Sequence, residues 1–560
     1  MSKITIYPAK TIITMNPANP AATHVAVRDG LILGAGELAE LAPWGDYEID
    51  NRFAEKVIVP GFVEAHAHVM EGATALSPYV GYFDRPLPDG STAKGFRSYS
   101  ALIEHLKALD KQMSDPVEPL VTRGFDPIYF DDEPRLTLEH LDDVSLTRPI
   151  FMYHASGHLA TANSAMLALD GVTKDTQVEG VGRFANGELN GEMREPPAMA
   201  LCRTGYRAVQ LANITEDALR NFGASARNAG ITTCTDLAGG LIIAPRSKAM
   251  WQKVTTEDDF PLRVAMYNIA AMPGLNADFG DAAQKVLELR EEETDKLCFP
   301  GVKFILDGSI QGFTAMIKEP GYITGEDHGQ LLTVPEQLID WLRPFHKAGI
   351  NVHMHCNGSL TQELAIDTVE SLLIEHPWLD HRHTLTHAQL TTQAQLKRMH
   401  RLGLCANFFA NHLWYWGDQH YEFTVGPERA NALEPCASAL RERVPFALHS
   451  DAGVTPLGQL HTMWCAVNRL TPKGRVLGEH EKISPLDALH AVTLGAAYVL
   501  HMDDQIGSIE AGKKADFAIL EENPLTVDPL HIRDIEVWGT VLSGAIHKAA
   551  KPEAAKQKSS

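Results

Sequence analysis

Short apolar runs recur along the chain, and most of them stop at a polar residue or a glycine. Residues 4–15 and 24–36 read as short strands, with Asp29-Gly30 between Val25-Ala26-Val27 and Leu31-Ile32-Leu33 as a hairpin signal. Ala515–Leu520 and Val537–Ile546 mirror them at the far end, the second turning at Ser543-Gly544. Both termini therefore predict one small β domain, residues 1–56 with 505–548, with the bulk of the chain inserted between them. Residues 549–560, mostly Ala, Lys and Ser, read as a disordered tail.

Val57-Ile58-Val59 is a branched apolar run ended by Pro60-Gly61, the pattern of a buried strand. From about 230 to 500 the pattern alternates. Ile231–Asp236, Leu262–Ile269, Val302–Leu306, Ile350–His355, Thr384–His387, Leu404–Phe408 and Phe446–Asp451 read as strands. Asp281–Lys296, Gln362–Glu375 and Gln393–Leu402 read as helices. Strand–helix alternation implies a parallel sheet joined by crossovers, and with the opening strand it predicts a (β/α)8 barrel over residues 57–504. Such barrels do their chemistry where the strands end. Residues 70–229 interrupt the rhythm just after the first strand. They are rich in Gly, Pro and Asp, carry strand signals at Leu120–Phe125 and Pro149–His154, and read as a cap over the site.

Composition narrows the class. The 560 residues are 44% hydrophobic, enough for a large core. A net charge of -22 argues against nucleic acid, whose phosphates need a positive face. The 7 cysteines are scattered without a Cys-x-x-Cys pair, which fits a reducing compartment. The N-terminus lacks the apolar run of a signal peptide, and no stretch is long and apolar enough to span a membrane. These features predict a soluble cytoplasmic protein, and the charge says little about a small substrate.

Polar residues gather at the strand ends. His66 and His68 share one face of extended backbone, as two ligands of one transition metal would. In Val302–Asp307, alternation sends Lys303 into the barrel while Phe304 packs outward. A lone buried amine tends to lose its proton, and a neutral amine can take up carbon dioxide as a carbamate, an oxygen ligand able to bridge two cations. The other reading pairs Lys303 with Asp307. His355, His387 and Asp451 complete the set, with His353 and His449 on the same faces as His355 and Asp451. Candidate ligands thus fall on strands one, four, five, six and eight.

These residues resemble the amidohydrolase superfamily, and within it the family 3, YtcJ-like group. The likeness rests on Pro60-Gly61-Phe62-Val63-Glu64-Ala65-His66-Ala67-His68, Gly301-Val302-Lys303, Asp307-Gly308-Ser309, His449-Ser450-Asp451-Ala452 and Gly507–Asp516, and covers nearly the whole chain. It implies a metal-bearing barrel with a β-sandwich from both termini. It also implies His66, His68, Lys303, His355, His387 and Asp451 as ligands of two divalent cations, zinc first among them, with Lys303 as N6-carboxylysine. One departure stands out. After His355 the family usually continues to Gly-Asp, and here Gly358 is followed by Ser359.

The resemblance implies hydrolysis of an amide, carbamate or cyclic amide C–N bond by a metal-activated water, with Asp451 shuttling the proton to the leaving amine. His158 and Asp126 in the insertion, and Trp414 and Trp416 after strand seven, are the candidate substrate contacts. A mononuclear deaminase would not need Lys303. A barrel kept for binding or regulation would need no metal. A homodimer is usual for such barrels.

Overall fold

The apolar run at residues 57–63 serves two sheets. Val57–Pro60 pairs antiparallel with Phe517–Leu520 and parallel with Ile4–Ile13, in the sheet made by the termini. Phe62–Glu64 (β1) pairs parallel with Ile231–Gly239 (β2) and opens the barrel. Gly61 makes the turn between them, and a Cβ there would collide with the Thr232 side chain. The Pro60-Gly61 break read from the sequence falls at this turn, and the second strand begins just past it.

The computed structural model describes residues 3–130, 133–242, 247–270, 278–325 and 329–551, so most of the tail expected at 549–560 lies outside the described residues. The chain divides into two compact units. One holds residues 1–68, 223–452 and 457–551; the other holds 69–222 and 453–456.

In the first unit β1 and β2 are followed by Arg263–Ile269 (β3), Leu297–Ile305 (β4), Asn351–Cys356 (β5), Thr384–His387 (β6), Cys405–Phe408 (β7) and Phe446–Leu448 (β8). All neighbours run parallel, in chain order. The ring is completed past the ends of β8 and β1. Asp451 donates its N–H to His66 O at 3.1 Å, and His68 donates to Ala452 O at 2.6 Å. The seam of the barrel is therefore made by the backbone of the residues that carry the candidate chemistry. On β4 the Phe304 ring packs on Phe279 and Phe345 of the flanking helices Phe279–Arg290 and Pro335–Lys347, which leaves Lys303 on the opposite face.

The termini form a mixed sheet of eight strands, with the path Ala545–Lys548, Val537–Leu542, Phe517–Leu520, Val57–Pro60, Ile4–Ile13, Ala21–Arg28, Leu31–Gly36 and with Tyr47–Ile49 off that path beside Ile4–Ile13. Asp29-Gly30 and Ser543-Gly544 both hold two successive positive φ angles, the signature of a type I′ hairpin turn. Ile12, Val25, Ile32, Phe53, Ile58, Phe517, Ile519 and Val541 pack into one core inside this sheet.

The second unit has its own five-stranded sheet, with the order Val181–Arg183, Leu189–Arg194, Leu159–Ala162, Ile150–His154, Leu120–Phe125. It also has its own apolar clusters, around Leu102, Phe125 and Met152 and around Phe151, Met166 and Met193. Among the described residues no helix is long and apolar enough to cross a membrane.

Candidate metal centre

His66, His68 and Asp451 converge at the barrel seam. His66 Nε2 and His68 Nε2 lie 3.3 Å apart, and each is 3.2 Å from Asp451 Oδ1. Two imidazole nitrogens and a carboxylate oxygen thus form a nearly equilateral triangle. Donors bound at about 2.0–2.1 Å to one tetrahedral cation stand about 3.3 Å apart, so the edges have the length a single zinc-like ion requires. The far nitrogens, His66 Nδ1 and His68 Nδ1, are buried without a hydrogen-bond partner among the described residues.

A second group shares His66. His66, His387 and His449 bring one ring nitrogen each within 4.8 Å of the others. His449 Nε2 lies 3.2 Å from His387 Nδ1. Its other nitrogen donates to Asn407 Oδ1 at 2.9 Å, while Asn407 Nδ2 donates to Ala65 O at 3.0 Å. The Asn407 amide is fixed by that second bond, so His449 carries its proton on Nδ1 and turns the Nε2 lone pair inward. The His355 ring stands against His387 with centroids 4.4 Å apart, and Asn357 Nδ2 lies 3.1 Å from His355 Nε2. His353 is directed elsewhere: its Nε2 meets Val499 O at 3.3 Å and its ring packs on Tyr267.

Lys303 is 2% exposed, and its Nζ has no hydrogen-bond partner among the described residues. Burial pushes its amine down to about 7, with Asp451 pulling the other way. Asp307 does not pair with it. That carboxylate instead accepts from Met316 N, Asn357 N, Gly358 N and Thr361 Oγ1 at 2.8–3.0 Å, and so ties the loop after β4 to the loop after β5. Ser359 begins the helix Ser359–Glu375 and accepts the Lys318 N–H at 3.1 Å.

Glu64 braces the centre from β1. It is fully buried and accepts from His66 N at 3.0 Å, Ser450 N at 3.0 Å and Ser450 Oγ at 2.5 Å. Burial pushes its carboxyl up to about 8 against the pull of these bonds. Burial also drives the rings of His66 and His387 well below the ordinary histidine range, which keeps their lone pairs available to a cation. Asp451 moves the other way; burial alone would raise its carboxyl, and the His66 and His68 rings hold it well below the usual carboxylate range. His387, Ala388 and Asp451 have φ of 70°, 48° and 52°. Non-glycine residues in this region cost on the order of 1–3 kcal/mol each and concentrate at functional sites.

The four expected substrate contacts lie in different places. Trp416 is 1% exposed and packs on His412 and Phe409, and Phe409 in turn stacks on His449. Trp414 meets Trp464 edge-on and carries the Arg533 guanidinium over its ring. His158 and Asp126 belong to the second unit. His158 Nδ1 lies 2.8 Å from Glu195 Oε2, and Asp126 caps the turn Pro127–Tyr129 through Ile128 N. Glu64, Asn407 and the clustered position of His449 escape a strand-end search for ligands. The one signal for Glu64 is an acid inside an apolar strand, on the face of His66 and His68.

Similarity to known proteins agrees with this architecture. The chain is 26% identical over 528 residues to Protein LONG AFTER FAR-RED 3 of Arabidopsis thaliana, covering 92% of this chain and 86% of that protein. It is 24% identical over 550 residues to Putative amidohydrolase YtcJ of Bacillus subtilis, covering 96% of this chain and 97% of that one. It is 23% identical over 551 residues to N-substituted formamide deformylase of Arthrobacter pascens, with 95% and 96% covered. The crystal structure of an uncharacterized metal-dependent hydrolase from Pyrococcus horikoshii shares the fold, with a TM-score of 0.69 at 21% identity over 94% of this chain and 99% of that one. Residues 54–547 match the Amidohydro_3 profile, and the chain belongs to the amidohydrolase family.

Proposed function

We propose that the protein is a metal-dependent hydrolase of a C–N bond in a small molecule: an amide, a carbamate or a cyclic amide. The observation that carries this reading is the triangle of His66 Nε2, His68 Nε2 and Asp451 Oδ1, with edges of 3.2–3.3 Å. These three residues would hold one divalent cation. His355 and His387 would hold a second, with Lys303 as the bridge between the two. The buried, unpartnered Lys303 amine has the chemistry carbamylation needs: the neutral nitrogen adds to carbon dioxide, and one proton leaves. A bound divalent cation supplies Lewis acidity toward the substrate carbonyl and lowers the pKa of a water.

The chain's own groups do the rest. Asp451 stays ionised, held so by His66 and His68, and takes the proton of the attacking water on its carboxylate. It returns that proton to the departing nitrogen. Glu64 keeps the backbone of His66 and Ser450 in register, and so fixes where His66 and Asp451 stand relative to each other. The relative from Arthrobacter pascens is named for deformylation of N-substituted formamides, which makes these compounds the first test substrates.

The test is metal content per chain, on protein produced with zinc and bicarbonate and then desalted, followed by turnover of N-benzylformamide, a carbamate and a lactam. About two equivalents, with a sharp fall in Lys303→Ala and turnover of at least one compound, is the expected result. One equivalent that ignores Lys303→Ala would favour a mononuclear deaminase. A protein that retains no metal would overturn the proposal.

A further inference from the structure

A cavity of about 360 Å³ opens at the starts of β3, β4 and β5, the end of the barrel opposite the candidate metal centre. In barrels of this kind that end usually serves stability alone. Its lining is not that of a packing defect. It includes Arg290, Glu293, Trp378, Leu500 and Met502, contributed by separate segments of the first unit. The size falls at the lower end of the range for small-molecule sites.

Arg290 sets the chemistry. The neighbouring cations are matched: Arg263 is paired with Asp516, and Lys514 with Asp295. Arg290 is not. Its Nε donates to Phe299 O at 3.2 Å, Nη2 to Pro300 O at 2.7 Å and Nη1 to Gly349 O at 3.4 Å. Among the described residues no carboxylate reaches ion-pair distance of it. The acid that acts on it most strongly, Glu293, is engaged with Phe299 N at 2.7 Å. A guanidinium has five N–H groups, and three carbonyls leave one on each Nη. Two N–H groups on a planar fork match the two oxygens of a carboxylate. Glu293 and Asp295 at the rim weigh against a dianion such as phosphate. Trp378 lines the same cavity with a half-buried indole, and the buried Leu500 and Met502 complete its apolar lining.

We propose that this cavity is a second ligand site, which takes a small planar organic carboxylate with its anion on Arg290 and its ring against Trp378. The site is independent of turnover at the metal centre, and its failure would leave the hydrolase reading untouched.

The experiment is a thermal-shift and calorimetric titration of the metal-loaded protein with benzoate, beside benzamide as the neutral isostere. Benzoate is expected to raise the melting temperature saturably and benzamide to leave it unchanged. Arg290→Gln should weaken benzoate at least tenfold. Glu293→Gln should tighten it several-fold, a gain that loss of folding cannot imitate. Asp451→Asn should bind as the parent does. The proposal is overturned if benzoate gives no saturable response or benzamide matches it. It is also overturned if binding survives Arg290→Gln, and loss in Asp451→Asn would then put the carboxylate at the metal centre.

Discussion

At the scale of single residues, the candidate centre depends on one acid that would touch no metal. Glu64 accepts from the backbones of His66 and Ser450 and from the Ser450 hydroxyl, so one carboxylate ties the segment after β1 to the segment after β8. Glutamine keeps the shape but replaces an acceptor oxygen with an NH2 that must face a donor. Supporting bonds of this kind are worth about 10–100-fold in metal affinity when lost. Glu64→Gln should therefore lower zinc affinity by that factor while the far-ultraviolet circular dichroism stays that of the parent. Unchanged zinc retention in a competition with a chelator would refute the role. The left-handed backbone at His387 and Asp451 belongs to the same argument, since these residues sit in costly conformations that present side chains to one point.

At the scale of elements, the starts of β5 and β6 are wired together by neutral histidines. Val352 N–H donates to His383 Nδ1 at 3.2 Å, so His383 carries its proton on Nε2 and donates it to His346 Nδ1 at 2.9 Å. His346 Nε2 then donates to His376 O at 2.7 Å. His381 accepts from His383 N at 2.9 Å and donates to Leu402 O at 2.7 Å. Every ring in this chain has one acceptor and one donor in use, and a second proton must break a bond. Burial lowers all three rings below their ordinary 6.5, with neighbouring histidines adding to the shift at His381 and His383. Arg382, Asp380, Asp503 and His501 also face this cluster. For a base whose folded pKa is depressed, the unfolded chain takes up protons first. This stability is thus complete above pH 6.5 and is lost as the pH falls below it. Melting temperatures measured from pH 8 to pH 5 should fall below 6.5, and His346→Gln should flatten that fall at some cost in stability at pH 8. An equal slope in the variant would refute the wiring. None of this could be read from the sequence, where these histidines carry no motif of their own. What could be read was whatever alternation governs. Thr384–His387 was legible to the residue, and the inward side of Lys303 followed from its apolar neighbours. Two features were hidden for physical reasons. The Pro60-Gly61 break marks the turn, but an apolar run does not say which sheet it joins, so the split of residues 57–64 between two sheets is invisible to periodicity. His449 and Asp451 share a face in any extended reading, and only the positive φ at Asp451, past the end of β8, assigns them to different groups.

At the scale of the molecule, the sheet of the termini is bolted to the barrel by a buried network centred on Arg263 at the start of β3. Its guanidinium pairs with Asp516 and donates to Asp295 O at 2.7 Å and Ser543 Oγ at 3.0 Å. Asp516 also accepts Ser543 N at 2.7 Å, and Ser543 Oγ donates to Asp295 at 2.7 Å. Residues from three distant parts of the chain therefore meet at one cation that is 1% exposed. A buried pair of this kind adds little over a well-packed apolar substitute, because both charges paid to leave water. Breaking it from one side is another matter, since the remaining charge stays buried without compensation; that costs about 3–5 kcal/mol. Arg263→Met and Asp516→Leu should each lower the melting temperature sharply, and the double variant Arg263→Met, Asp516→Leu should recover most of the loss. The comparison of parent, both single variants and the double variant in thermal melts isolates the coupling. Additive losses in the double variant would mean that the two side chains act separately. Recovery would mean that the network specifies how the terminal sheet seats on the barrel more than it stabilises the fold. The candidate metal centre, whose His66 stands five residues beyond Gly61, would then owe its geometry to a strand held at both ends, by the terminal sheet before Gly61 and by the seam with Asp451 and Ala452 after it.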